Sequence, residues 1–140
     1  MRTLLVPIFL AVCSLAPGAA AAACNGADPA IVAVAVTKVS TNAGLNVYHL
    51  SGRVVNLGRA KQSSNVLQFV AIYEGDIRRD VRSIPPLKPG ASFSFSYDYQ
   101  RSANAGSGTT DLTFALSVRK PVPSGREDCN LANDRSQLEF

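Results

Sequence analysis

Between turns, apolar side chains recur at every second position, the period of a strand rather than of a helix. The pattern is cleanest at 92–100, where Phe93, Phe95, Tyr97 and Tyr99 alternate with Ser92, Ser94, Ser96 and Asp98. At 111–119, Leu112, Phe114, Leu116 and Val118 alternate with Asp111, Thr113, Ala115, Ser117 and Arg119. At 45–55, Tyr48, Leu50, Gly52 and Val54 share one face, read as the core face; Val47, His49, Ser51 and Arg53 share the other. At 30–39, Val32, Val34 and Val36 fall on one face and Lys38 marks the solvent end. A short strand is expected at 77–84 and a last one around 135–140. The segment 85–90, Pro-Pro-Leu-Lys-Pro-Gly, must be a loop. Proline cannot donate to a ladder, and Pro89-Gly90 suits a type II turn. The polar, glycine-rich segment 102–110 reads as a mobile loop.

The run at 66–74 breaks the rule. Leu67, Phe69, Ala71 and Tyr73 lie one way, and Val66, Gln68, Val70 and Ile72 the other, so both faces are apolar. A strand in a two-layer sandwich has one core face, so the other must either be covered by a loop or serve as a contact surface. The candidate contact residues are Val66, Leu67, Phe69, Val70, Ile72 and Tyr73; the pattern leaves open which parity faces out. With this run the chain has about seven short strands and no competing helical pattern. Apolar faces on so many strands require two sheets packed face to face. The expected fold is an all-β, immunoglobulin-like sandwich of about seven antiparallel strands.

The N-terminus is of another kind. Arg2, then a short apolar stretch interrupted by Pro7 and Pro17, then an alanine run ending at Cys24 are the parts of a cleavable secretory signal. The stretch is too short and too broken to span a bilayer, and no second stretch replaces it. Ala21 and Ala23 fit the small-x-small cleavage rule and place the cut after Ala23. A lipoprotein cut before Cys24 wants a Leu-like residue where Ala21 stands. The expected organisation is a signal peptide at 1–23 and a single domain at 24–140, periplasmic or secreted. The style of the signal fits a bacterial origin. Cys13 leaves with the signal, so two cysteines remain. An even pair in an oxidising compartment is normally a disulfide, here Cys24 with Cys129. The formal net charge of +4 falls to +3 without Arg2, far from the dense basic stripe that nucleic-acid binding needs.

Four segments in order resemble the bacterial cell-adhesion-related domain (CARDB-like). Val54, Asn56 and Gly58 match its V-x-N-x-G strand end. The segment 69–76 is similar to its strand ending in tyrosine and an acidic-glycine turn. The segment 83–97 looks like its Pro-x-Leu-x-Pro-Gly-x-Ser loop followed by an alternating strand. The tail 127–140 resembles its acidic, Asn-rich closing segment. Asn133-Asp134 stand where the family tends to have paired asparagines, and Cys129 is added. The resemblance implies an immunoglobulin-like fold placed outside the cytoplasm, and no activity.

Catalytic and metal chemistry has few carriers. His49 is the sole histidine. It shares a face with Ser51 and Arg53 and is expected to be a solvated strand residue; a hydrolase would need it beside an acid and a hydroxyl in a cleft. No EF-hand loop occurs. Glu127, Asp128, Asn130, Asn133 and Asp134 have the oxygens a Ca²⁺ site wants, although turn and strand-end solvation is the simpler account. Asn56 reads as a turn-former bonding its own backbone. The basic residues Arg53, Arg59, Lys61, Arg78, Arg79, Arg82 and Lys88 read as solvated edge and loop charges. The tyrosines, a conceivable sugar platform, continue the core face at Tyr97 and Tyr99. The expectation is therefore an exported, non-enzymatic module without cofactor or metal, acting through protein–protein contact or self-association in the cell envelope. The alternative is a carbohydrate- or polyanion-binding module.

Overall fold

The computed structural model describes residues 24–105, 108–119 and 127–140. The signal-peptide expectation at 1–23 and the proline-rich turn at 120–125 lie outside the described residues. Seven strands form: β1 (Pro29–Asn42), β2 (Leu45–Asn56), β3 (Leu67–Glu74), β4 (Ile77–Ile84), β5 (Ser92–Ser102), β6 (Asp111–Arg119) and β7 (Arg135–Glu139), with one 3-10 turn at Leu131–Asn133 before β7. They build two antiparallel sheets, β1-β2-β5 and β4-β3-β6-β7. This is the seven-stranded all-β sandwich that the alternation requires.

Turn chemistry sets the order. Ala43 and Gly44 have φ of 48° and 79°, both positive as a type I′ hairpin demands, and β2 folds back on β1 with Asn42 opposite Leu45. Gly75, at φ 56°, turns β3 tightly into β4. At Pro89-Gly90, Gly90 has φ 72° and Ala91 N donates to Lys88 O at 3.0 Å, the type II geometry expected.

The core lies between the sheets. Ile31, Leu50, Val54, Phe95 and Tyr99 meet Val70, Ile72, Ile84, Leu112, Phe114 and Leu116, and Leu87 from the proline loop plugs one end. The Phe95 and Phe114 rings approach to 6.1 Å between centroids. The core face assigned to β2 is the observed one. In β1 one expectation fails: Val32 is 40 % exposed. The pairing with β2 slips between Ile31 and Ala33 and again between Val36 and Lys38. A bulge inserts one residue and reverses parity, so Ile31 enters the core opposite Val54, and Val34 and Val36 follow opposite Gly52 and Leu50.

The end of β2 is built on a buried amide. Asn56 is 0 % exposed. Its Oδ1 accepts from Asp28 N at 2.9 Å and Gly58 N at 3.0 Å, and its Nδ2 donates to Ala60 O at 2.9 Å and Leu87 O at 3.0 Å. The turn-former reading covers only the Gly58 bond; the rest joins three separate segments. Gly58 completes the site, since a Cβ there would lie 2.6 Å from Asp28 N. Beside it Gln62 and Gln68, both buried, exchange two 2.8 Å bonds. Cys24, just before β1, is bonded to Cys129, just before the 3-10 turn, with Cα atoms 6.1 Å apart. A disulfide of this kind belongs to an oxidising compartment.

Phe114→Ala should lose about 3–5 kcal/mol of stability in chemical denaturation and Ser94→Ala close to nothing; equal losses would refute the facing of the strands. Asn56→Ala, which strands several buried groups at about 1–3 kcal/mol each, should cost at least as much as Phe114→Ala.

Candidate functional site

The structure sorts the two-faced strand β3. Val66, Val70 and Ile72 are buried and belong to the core side with Gln68, which removes these three from the expected contact surface. Leu67, Phe69 and Tyr73 point outward with Ala71. Leu67 is 66 % exposed, while Ala71, flanked by Val81 and Ala115, is 1 % exposed. Cross-strand pairing places Val81 and Ser83 of β4 and Thr113, Ala115 and Ser117 of β6 on the same outer face. The result is a face of small residues, alanines mixed with the hydroxyls of Ser83, Thr113 and Ser117, from which the apolar side chains of Leu67, Phe69, Tyr73 and Val81 stand out. Arg119 lies over the Phe69 ring at 5.6 Å, and Arg78 and Arg135, paired with Tyr73 and Ala115, carry positive charge around the patch.

On the outer face of the other sheet, His49 has partners that the sequence did not mark. Its Nδ1 is 2.7 Å from Asp98 Oδ1 on β5, and its Nε2 is 3.3 Å from Ser40 Oγ on β1. Hydroxyl, imidazole and carboxylate stand in one row across β1, β2 and β5, in the order of an acyl-transfer relay. The row lies on an open sheet surface, with His49 and Asp98 side chains 34 % and 60 % exposed, so water competes at each position. The contacts arise from register, which sets His49 opposite Asp98; the row ties three strands together.

A groove of about 430 Å³ runs along the seam between β5 and the β3–β4 turn. Tyr97 to Arg101 of β5 form one wall and Glu74 and Arg79 the other. The Tyr99 hydroxyl donates to Glu74 Oε1 at 2.8 Å, and Arg79 pairs with Glu74 Oε2 at 2.7 Å. The Tyr99 bond, with Arg79 behind it, holds the Glu74 carboxyl below its usual value. Burial raises both Tyr97 and Tyr99. Arg82 pairs with Asp80 at 2.7 Å and donates through Nε to Ser96 O at 3.0 Å, bridging the sheets. The basic residues therefore do not gather: Arg79 and Arg82 are paired at the seam, and Arg53 and Arg78 face out from opposite sheets. Arg101 donates to Ala105 O and Thr110 Oγ1, so the described part of the glycine-rich loop is anchored rather than loose.

An acidic corner forms beside the disulfide. Asp28 is buried and accepts from Asn133 Nδ2 at 2.9 Å. Glu127, expected to be solvated, is also buried and accepts from Ser63 N at 2.9 Å. Asn130 caps the 3-10 turn by accepting from Ala132 N. Asp134 faces Asp128 with Asp28 close by. Burial first, then the Asp128 carboxylate, push Asp134 up to about 7. Its Oδ1 is buried and accepts no hydrogen bond. Among the described residues no three His, Cys, Asp or Glu side chains are placed to hold a metal ion. Of the oxygens considered for Ca²⁺, Glu127 Oε2, Asp128 Oδ1 and Asn130 Oδ1 accept from backbone N–H groups, whereas Asn133 Oδ1 and Asp134 Oδ1 are buried without a hydrogen-bond partner. Nor is any described helix long and apolar enough to cross a membrane.

No family model, curated protein or solved structure matches the chain.

Asp134 gives the domain a pH signature. Its folded value of about 7 stands above the ordinary 3.8, so the folded state holds the proton more tightly than the unfolded one. The stabilisation is complete below about pH 4 and is lost as pH rises through 7. Glu74, shifted down, contributes only at lower pH. The melting temperature of the native chain, compared with that of Asp134→Asn, should therefore fall more between pH 5 and pH 8. Parallel curves would refute the protonated carboxyl.

Proposed function

We propose that this chain is an exported, non-enzymatic module of the bacterial cell envelope that acts by protein–protein contact through the outer face of β3. The observation that carries this reading is Leu67, 66 % exposed in a strand whose opposite face is fully used in the core. With Phe69, Tyr73 and Val81 it forms the apolar part of that face, and burying apolar area yields roughly 25 cal/mol per Å². The surrounding arginines favour a partner whose own apolar patch has an acidic rim. Supporting the export half of the reading are the signal-like N-terminus, the disulfide, and the resemblance to cell-adhesion-related domains at Val54, Asn56 and Gly58. The row Ser40–His49–Asp98 is read as a strand tie, so Ser40→Ala should leave any background ester hydrolysis unchanged.

Two double variants test the contact surface. Val70→Ser with Ile72→Ser should unfold the domain, whereas Phe69→Ser with Tyr73→Ser should leave it folded by circular dichroism. A photo-reactive side chain at Leu67 should capture a discrete envelope protein, one at Ser94 should not, and the outer-face double variant should lose the adduct. Capture that survives this variant, or occurs equally from Ser94, would refute the surface. Intact mass checks export: a mature chain beginning at Cys24, without lipid, is expected.

A further inference from the structure

Four sheet edges border this sandwich, and three are protected. Edge strands attract further strands unless bulges, charges or shortness prevent it. β1 carries two register slips and Lys38. β4 carries one slip and Arg78, Arg79, Asp80 and Arg82. β7 has only 5 residues. β5 is less defended: its 11 residues contain no proline and no lysine, its charges are Asp98 and Arg101, and it pairs with β2 from Leu45–Ser102 to Val55–Ser92 without a slip.

The direction of its free groups follows from the ladder. Just beyond the two ends of the pairing, Asn56 N donates to Ala91 O and Ala103 N to Gly44 O, so the odd-numbered residues of β5 bond to β2. Antiparallel pairing alternates, and the even-numbered residues turn N–H and C=O to the open edge. Arg82 confirms the phase by reaching Ser96 O from that side. Beyond this cap, Asp98 and Gln100 present four main-chain groups along the seam groove. At the seam Arg79 pairs with Glu74 and Arg82 with Asp80, Asp98 Oδ1 lies 2.7 Å from His49 Nδ1, and Arg101 donates to Ala105 O and Thr110 Oγ1. What this edge offers a ligand is a row of main-chain donors and acceptors, and the complement of such a row is an extended backbone.

We infer that β5 is a docking edge for an extended peptide segment of a protein partner, which pairs antiparallel or parallel with Asp98–Gln100 as a fourth strand of the β1-β2-β5 sheet. Main-chain bonds supply affinity in this mode of recognition, and the side chains that face the groove supply selectivity. Tyr97 and Tyr99 would meet every second side chain of the segment. Arg82 stops the added strand at Ser96 and so fixes its register. The edge is separate from the outer face of β3, and either surface can fail without the other.

The probe is an acetylated, amidated heptapeptide of alternating threonine and valine, with a control N-methylated throughout. Titrated into ¹⁵N-labelled oxidised protein, the first should shift the Asp98 and Gln100 amides and slow their hydrogen exchange. The methylated control should bind about tenfold more weakly or worse, since it cannot pair through its N–H groups. Gln100→Pro removes an edge donor without touching the bonds to β2; it should remain folded and lose about the same tenfold. The Phe69→Ser, Tyr73→Ser variant should bind as the native chain does, which separates this site from the surface under Proposed function. Absence of binding at millimolar peptide, equal binding of the methylated control, shifts centred away from β5, or a β5–β5 dimer that already fills the edge would each overturn the inference.

Discussion

The buried amide of Asn56 is the constraint on which one end of the sandwich depends. An amide offers two donors and two acceptor positions, and here all four are used, on Asp28, Gly58, Ala60 and Leu87. Burying such a group is costly unless every bond is made. The segments before β1, after β2 and before β5 are therefore fixed together or not at all. Gly58 follows from the same requirement, because the backbone at 26–28 comes too close for a side chain. Leu87, which accepts from the Asn56 amide through its carbonyl, places its own side chain in the core. The polar hub and the apolar packing are thus two aspects of one arrangement.

The same pole continues into a second polar layer. Gln68 sits on the core side of β3, where an unpaired amide would be destabilising, and Gln62 meets it with reciprocal bonds. Gln62 Oε1 also accepts from Leu87 N, and its Nε2 reaches Glu127 O. Glu127 thus ties the chain before β7 to Gln62 and Ser63, and Cys129 ties it to the chain before β1. At the opposite pole the closure is aromatic: Phe140 packs on Tyr48 at 4.6 Å and on Tyr99 at 5.8 Å, and its backbone pairs with Thr110.

These two poles explain what the sequence shows and what it hides. The strands at 92–102 and 111–119 were legible because one face is wet and one dry, and alternation records that directly. Val32 reads as a core residue because three valines in step look alike whether or not a bulge intervenes; only the pairing with β2 reveals the slip. In β3 both parities read as apolar because Leu67, Phe69 and Tyr73 stand on the outer face while Val70 and Ile72 enter the core; the burial of Ala71 between Val81 and Ala115 is lateral shielding, which periodicity does not record. The buried polar residues were illegible for another reason. Asn56 finds Asp28 and Leu87, Gln62 finds Glu127, and Asp28 finds Asn133, all far along the chain. His49 likewise meets Asp98 only through the β2–β5 register. Composition identifies such residues as polar, but only topology supplies their partners.

The asymmetry of the two flanks has its origin in one turn. On one flank β1 lies against β7, and the Cys24–Cys129 bond locks the two together. On the other, side chains link β5 to the β3–β4 hairpin, chiefly Arg82 of β4 to Ser96 O and Tyr99 to Glu74 of β3. Gly75, at positive φ, leaves β3 so tight a turn that β4 must fold back as its hairpin partner, with Glu74 opposite Ile77. A longer connection there would have let β4 cross to the other sheet and pair with β5. The chain crosses one step later instead, through the proline loop at 85–90, where no ladder can form. The tight turn at Gly75 thus places β4 in the β4-β3-β6-β7 sheet and leaves the β1-β2-β5 sheet with three strands and its β5 edge open.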